Sequence, residues 1–292
     1  MIRTTALAKI YGDVPALNDV DLTVADGSVF GLVGPNGAGK TTLQGLLAGL
    51  RRPTSGTIEL GVGRSRISVV PDTPYFDPWL TAREVVELSR RLGAPTLPSS
   101  ASESALVELG LREAMDRRVS GFSRGMLQRL GLAAAVVTDP ALLILDEPCS
   151  ALDPAGRAEV LDHIAAFGRR STVVLSTHLL DDVQRICDTV GILHAGALVY
   201  SGSLDALLVG RASPTYNVRL RGPAGDTAAS LRDQPWVTRV SAISGEELEV
   251  GVTSLGHAET NLAGALSRSN AAVVSLTPVT PDLEDVFLEL TA

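Results

Sequence analysis

The sequence predicts an α/β fold: a layered, largely parallel sheet with helices between its strands, followed by a smaller α+β module. Three observations carry this. The apolar run Val29-Phe30-Gly31-Leu32-Val33 passes through a glycine-rich loop, residues 34–41, into a helix-compatible stretch, residues 42–50. Leu142-Leu143-Ile144-Leu145 and Thr172-Val173-Val174-Leu175 are continuously apolar, as central parallel strands covered on both faces should be. Helical segments separate these runs, the alternation that builds a sheet with helical layers.

The chain opens in β structure, where Val20, Leu22 and Val24 alternate with Asp21 and Thr23 as in a half-buried strand. Residues 57–60 and 67–70 are further short strands. Thr81-Ala82-Arg83-Glu84 spells a capping box, and Val85, Leu88 and Leu92 then share one helix face. The serine-rich residues 99–104 read as a surface connection, with a short helix over 103–109. A helix over 125–137 ends at Asp139-Pro140. After the two buried strands, residues 191–193 and 197–200 form a hairpin around Ala195-Gly196.

The character changes near residues 211–214, dividing the chain into a main domain, 1–210, and a C-terminal domain, 215–292. Strand-like 216–220, helical 227–233, strands 237–243 and 248–252, helical 258–266 and strand 272–276 give the order βαββαβ, a ferredoxin-like arrangement. A last helix starts at Thr280-Pro281, with Asp282, Glu284 and Asp285 in its first turn and Leu283, Val286, Phe287 and Leu290 as its apolar stripe.

Composition narrows the function. A net charge of −8 and a pI near 5.1 argue against general affinity for nucleic acid or anionic membrane. The two cysteines, Cys149 and Cys187, make neither a metal pattern nor a disulfide framework, which fits a reducing, cytoplasmic setting. No signal peptide is read at the start. The longest apolar runs, such as 132–137, fall far short of the ~20 residues that span a bilayer. Any work at a membrane would need a partner to supply the spanning part.

The loop Gly34-Pro35-Asn36-Gly37-Ala38-Gly39-Lys40-Thr41 matches G-x-x-x-x-G-K-[ST] between a strand and a helix. Its glycines let backbone N–H groups wrap phosphate oxygens, and the following helix points its positive end at the same anion. In that motif Lys40 meets the β- and γ-phosphates and Thr41 holds Mg²⁺. Only Lys9 and Lys40 among 25 basic residues are lysines, so an arginine-rich chain keeps the compact ammonium at this position.

Asp146-Glu147-Pro148 follows the strand 142–145, and ligands in open α/β sheets bind at the carboxyl ends of strands. Asp146 is placed to hold the Mg²⁺ hydration shell, and Glu147 to orient and deprotonate an attacking water. His178, ending the next strand in Ser176-Thr177-His178, is placed to sense a γ-phosphate; His163, His194 and His257 lack such a setting. Phe122-Ser123-Arg124-Gly125-Met126 begins another helix, whose N–H groups and Ser123 hydroxyl form a second anion-seeking surface. The residues themselves leave open whose anion fills it.

With these motifs in order, residues 1–210 resemble the ATP-binding subunit of an ABC transporter. That family's signature is Leu-Ser-Gly-Gly-Gln; here Ser123 and Gly125 match, while Phe122, Arg124 and Met126 depart. Ser-Arg-Gly-Met and the closing Asp282-Leu283-Glu284-Asp285-Val286-Phe287-Leu288 are similar to the drug-export subgroup typified by daunorubicin-resistance ATPases. The resemblance implies a P-loop NTPase fold with an antiparallel β subdomain and a helical subdomain. It implies ATP and Mg²⁺ as cofactors, with residues 34–42, including Pro35, Asn36, Ala38 and Thr42, around the phosphates. It implies that Tyr11 stacks on adenine and that Ser150-Ala151-Leu152-Asp153 links two ATP sites. It implies a homodimer, in which Ser123 and Gly125 of one copy meet the nucleotide of the other. A separate transmembrane permease would hold the protein on the inner face of the cell membrane and select the solute. One departure stands out: where the family has a metal-ligating Gln, this chain has Val70-Pro71-Asp72, so Asp72 is a metal-ligand candidate. ABC-type ATPases of DNA or the ribosome carry coiled-coil insertions, a second ATPase module or basic surfaces, none of which is read here. A metabolic P-loop kinase leaves Ser123–Met126 and His178 unexplained.

Overall fold

The computed structural model describes residues 1–211, 215–269, 271–279 and 283–291. The chain divides into two compact units, Met1–Leu204 and Asp205–Leu290. In the first unit the strands are β1 (Ile2–Tyr11), β2 (Val14–Val24), β3 (Val29–Val33), β4 (Ser55–Leu60), β5 (Ile67–Val70), β6 (Leu142–Asp146), β7 (Thr172–Thr177), β8 (Thr189–His194) and β9 (Ala197–Ser203). Its helices are α1 (Lys40–Leu47), α2 (Ala82–Gly93), α3 (Ser100–Glu108), α4 (Arg124–Val136), α5 (Pro154–Gly168) and α6 (Leu180–Ile186). The helix α7 (Leu204–Arg211) follows β9.

A six-stranded sheet in the order β5-β6-β7-β3-β8-β9 forms the centre. β3, β6 and β7 are buried along their whole length, which matches their unbroken apolar sequences. β5, β6, β7, β3 and β8 run parallel, and β9 returns antiparallel from β8. That hairpin turns on Ala195 (φ 47°) and Gly196 (φ 81°), both left-handed, the backbone that suits the right-handed twist of its strands. Asp146 pairs with Ser176, and Val33 with Thr177. The loops after β3, β6 and β7 therefore leave the sheet at one edge, and this register positions the site.

A separate antiparallel sheet, β2-β1-β4, packs its Leu7, Leu17, Val20 and Leu22 into one core with Phe30, Leu43 and Ile144. The sequence reading singled out no strand over β1. Its pairing with β2 shifts register three times, and Ala6 has φ 47°, so the period-2 alternation that marks a strand is broken.

The helices α2, α3 and α4 form the helical layer. Thr81 caps α2 as expected, accepting from Glu84 N while the Glu84 carboxylate accepts from Thr81 N. Val85, Leu88 and Leu92 lie along α2 at the expected spacing; Val85 and Val86 are buried, while Leu88 and Leu92 are 51% and 78% exposed. The serine-rich connection is corrected, because helix α3 already begins at Ser100. Ser102 is buried there and donates to Glu87 on α2, so a polar sequence is drawn into the helix by a partner outside it.

The second unit contains β10 (Thr215–Leu220), α8 (Gly225–Arg232), β11 (Val237–Ser244), β12 (Glu247–Val252), α9 (Leu255–Arg268), β13 (Val273–Val279) and α10 (Leu283–Thr291). Its antiparallel sheet runs β11-β12-β10-β13, the βαββαβ order with the first and third strands central. Val218, Leu248 and Val250 from the sheet and Leu231, Leu262 and Leu266 from the helices make its core. Leu283 and Val286 of α10 are buried. The expected start of that helix, residues 280–282, lies outside the described residues.

Candidate active site

The loop between β3 and α1 wraps a cavity of about 310 Å³ lined by Pro35–Thr42, Ala16, Asp72, Asp146 and Glu147. Gly37 and Gly39 hold φ of 83° and 108°, and a Cβ on Gly39 would stand 2.6 Å from the Ala16 carbonyl oxygen. Only glycine makes that turn so close to β2, which is the physical reason for glycine there. A Cβ on Gly34 would meet the Leu193 carbonyl oxygen of β8 at 2.2 Å, so the loop also sits tight against the sheet. Lys40 is buried, and its Nζ donates to the Gly34 carbonyl at 2.6 Å and stands 3.9 Å from Glu147 Oε1. Burial lowers the Lys40 pKa, while Glu147 and Asp146 oppose that shift.

The carboxyl ends of β6 and β7 face this loop. Thr41 Oγ1 donates to Asp146 Oδ2 at 2.8 Å, and the fully buried Ser176 donates to Asp146 Oδ1 at 2.5 Å. Each oxygen of that buried carboxylate therefore has a hydroxyl donor, as a charge removed from water requires. Glu147 adopts φ 47°, uncommon for a residue with a side chain. Its N–H donates to the Ser176 carbonyl at 3.1 Å, which holds the strained backbone in place. His178 Nδ1 lies 2.8 Å from Glu147 Oε2. Lys40, Thr41, Asp146, Glu147 and His178, distant in sequence, thus meet at one sheet edge.

Ser123 and Gly125 lie elsewhere. Ser123 is the N-cap of α4, its Oγ accepting from Met126 N at 3.2 Å. With Gly125, Arg117, Arg124 and Arg129 it lines a second cavity of about 670 Å³, which also takes in Ala151, Leu152 and Asp153. Gly125 is close-packed, since a Cβ there would stand 3.1 Å from Leu152 Cδ2. Neither residue lines the glycine-loop cavity of its own chain.

Residues 17–150 match the ABC transporter family. The chain is 35% identical over 298 residues to the ABC transporter ATP-binding protein YxlF of Bacillus subtilis (strain 168), covering 99% of each. It is also 35% identical over 303 residues to the daunorubicin resistance ATP-binding protein DrrA3 of Streptomyces coeruleorubidus, covering 99% of this chain and 95% of that one. The chain belongs to the ABC transporter ATP-binding subunits. A solved ATP-binding subunit of an ABC transporter matches it with a TM-score of 0.66 at 28% identity, over 72% of this chain and 92% of that one. This ABC ATPase is an ATP-binding and ATP-hydrolysing subunit of the drug-export subgroup.

Two candidate residues of the ABC ATPase sit at the margins of its site. Asp72 reaches the cavity, and its Oδ1 accepts from Ser150 Oγ at 2.8 Å. Tyr11 does not line that cavity; its ring is exposed on β1, with Lys9 Nζ 4.9 Å and the Arg51 guanidinium carbon 5.6 Å from its centre. Arg51 also donates to the Tyr11 hydroxyl. Sequence reasoning assigned no role to Ser176 or Gln44. Ser176 is identified by register, as the residue opposite Asp146. Gln44 is buried three positions beyond Thr41 on α1, and its Nε2 donates to the Leu145 carbonyl at 2.9 Å, tying α1 to β6. The i, i+3 spacing of two polar residues on a helix face was the available signal.

Proposed function

We propose that two copies of this ABC ATPase close face to face around ATP and that hydrolysis lets them part, driving export of a solute through a separate membrane permease. The observation that carries this reading is the split between the two cavities. The phosphate cradle and hydrolytic residues share one edge, while Ser123 and Gly125 present a second anion-seeking surface outside it. A second copy turned by a two-fold axis would bring each surface to the other's cradle, a self-complementary arrangement.

Within each cradle, backbone N–H groups of residues 36–42 and the Lys40 ammonium bind the phosphates. Glu147 takes the proton of the attacking water, and His178 holds the Glu147 carboxylate in line with it. Tyr11 stacks on the adenine, exchanging its contact with a neighbouring cation for one with the base. Mg²⁺ fits the donor set beside the loop: the Thr41 hydroxyl and the Asp146 carboxylate, with Asp72 on the same cavity wall, are all hard oxygen donors. Among the described residues no three His, Cys, Asp or Glu side chains group to hold a metal, as suits an ion that also uses phosphate oxygens and water. When bound, it would neutralise charge on those phosphate oxygens.

Among the described residues no helix is long and apolar enough to cross a membrane, which supports a separate permease. Its docking place would be the groove of about 420 Å³ lined by Val69, Tyr75, Phe76 and Leu92, where Tyr75 and Leu92 are 86% and 78% exposed. The protein would then sit in the cytoplasm, peripheral on the inner membrane face, without nucleic acid as a partner.

Cross-linking tests the arrangement. Cys149 and Cys187 are buried, the first with its thiol pushed up to about 12 by burial, so introduced thiols react first. Ser123→Cys combined with Asn36→Cys should give a disulfide-linked dimer with a nonhydrolysable ATP analogue and none without it. A chain that stays monomeric with the analogue bound overturns the reading.

A further inference from the structure

The three carboxylates of the cradle, Asp72, Asp146 and Glu147, share one small cavity with the Lys40 ammonium. Like charges lining one cavity repel, and a hydrogen-bond donor fixes the direction of each. Asp146 has Thr41 and Ser176, and Glu147 has His178. Among the described residues, the hydrogen bond to the Asp72 carboxylate comes from Ser150 Oγ.

Ser150 holds a second position at the same time. Its N–H donates to the Glu147 carbonyl at 3.1 Å, closing the turn Glu147-Pro148-Cys149-Ser150 that carries the left-handed Glu147. The sheet explains how it reaches both. β5 and β6 are parallel neighbours with Val70 opposite Leu145, so Asp72 and Glu147 leave their strands at equal offsets along one edge. A residue three places beyond Glu147 in a tight turn swings back over that edge. A glutamine at position 72 could donate through its own amide; the shorter aspartate has acceptors alone and takes its donor from the next loop.

We infer that Ser150 is a positioning residue for the metal ion: its hydroxyl engages Asp72 Oδ1 and leaves Oδ2 as the oxygen available to the ion, on a residue that lines the cavity together with Thr41 and Asp146. This rests on the reading of Asp72 as a metal ligand. The hydroxyl acts as an outer-shell partner, the kind of group that fixes a ligating carboxylate before the metal arrives.

The test is the affinity of the full chain for the nonhydrolysable analogue AMP-PNP, measured with Mg²⁺ and with EDTA, at two protein concentrations. Ser150→Ala should shrink the Mg²⁺-dependent gain in affinity by about 10-fold, the low end for an outer-shell partner. The EDTA value should be unchanged, and the effect should be the same at both concentrations. Ser150→Thr should retain the gain. In the Asp72→Ala background, Ser150→Ala should add nothing. An unchanged gain in Ser150→Ala, an equal loss in EDTA, or an effect confined to the higher concentration overturns the inference; the last would mean that Ser150 acts across the dimer. Should Asp72→Ala itself leave the gain intact, the ligand reading of Asp72 fails first, and the inference with it.

Discussion

Glu147 is held from two sides: its Oε2 lies 2.8 Å from His178 Nδ1 and its Oε1 3.9 Å from Lys40 Nζ. The contact with His178 spans the ends of neighbouring strands β6 and β7, and the one with Lys40 joins the end of β6 to the start of α1. A carboxylate gripped this way has little freedom to rotate, so in the proposed role it would accept its proton from one direction.

Glu147→Gln preserves shape and removes proton affinity. Turnover should fall by about 10²–10⁴, the usual contribution of a general base, while ATP still assembles dimers. Phosphate release and size-exclusion chromatography with ATP read the two effects separately. Near-parental hydrolysis would remove Glu147 from its role.

His178→Ala frees one oxygen of Glu147 without touching the phosphate loop. We expect turnover to drop by about 10²-fold with AMP-PNP affinity close to that of the parent. A variant that loses affinity and turnover in parallel would show that His178 contributes to binding and not to the hydrolytic step.

Lys40→Ala withdraws the buried ammonium that bonds the Gly34 carbonyl in this structure. Charge-assisted hydrogen bonds to phosphate contribute about 1.5–3 kcal/mol each, so ATP affinity should weaken at least about 10-fold. Equilibrium dialysis with labelled ATP decides it, and undiminished binding would refute the cradle.

Tyr11→Ala should weaken ATP and ADP equally, by about 1–3 kcal/mol if the ring stacks on the base. Since the ring already faces Lys9 and Arg51, Tyr11→Phe should bind at least as well as the parent. Equal affinity of the alanine variant and the parent would leave Tyr11 as a surface residue.

Arg157→Ala addresses stability. Arg157 near the start of α5 bonds Asp182 of α6 at 2.6 Å, and Asp182 is only 2% exposed. Burial pushes the Asp182 carboxyl up and Arg157 opposes it. Stranding that carboxylate should cost about 3 kcal/mol, the low end for a broken buried pair because Arg157 is partly exposed. A Tm equal to the parent's, by thermal unfolding, would show that the pair contributes nothing net.

Legibility followed periodicity and local chemistry. The unbroken apolar runs of β3, β6 and β7 and the capping box at Thr81 were visible in sequence, because each is set by residues adjacent to one another. So was the glycine loop, whose φ values above zero at Gly37 and Gly39 demand that residue type. β1 was not legible, since its bulges break the alternation. Nor was the start of α3, where Ser102 is buried by a bond to Glu87 on another helix. The exposure of Leu88 and Leu92 was not legible either, because a helix period shows which residues share a face, not whether that face meets the protein or something else.

The sequence by itself determined which chemistry is possible: a cradle for phosphates, a carboxylate pair after a buried strand, and a histidine after the next. Those are short-range patterns, set by backbone conformation and residue type. Only the tertiary structure decided that Glu147 meets His178, that Ser150 meets Asp72, and that Ser123 stays apart from the cradle of its own chain. Strand order and register settle such pairings, and they arise from burying the whole sheet at once. No local stretch of chain carries that information.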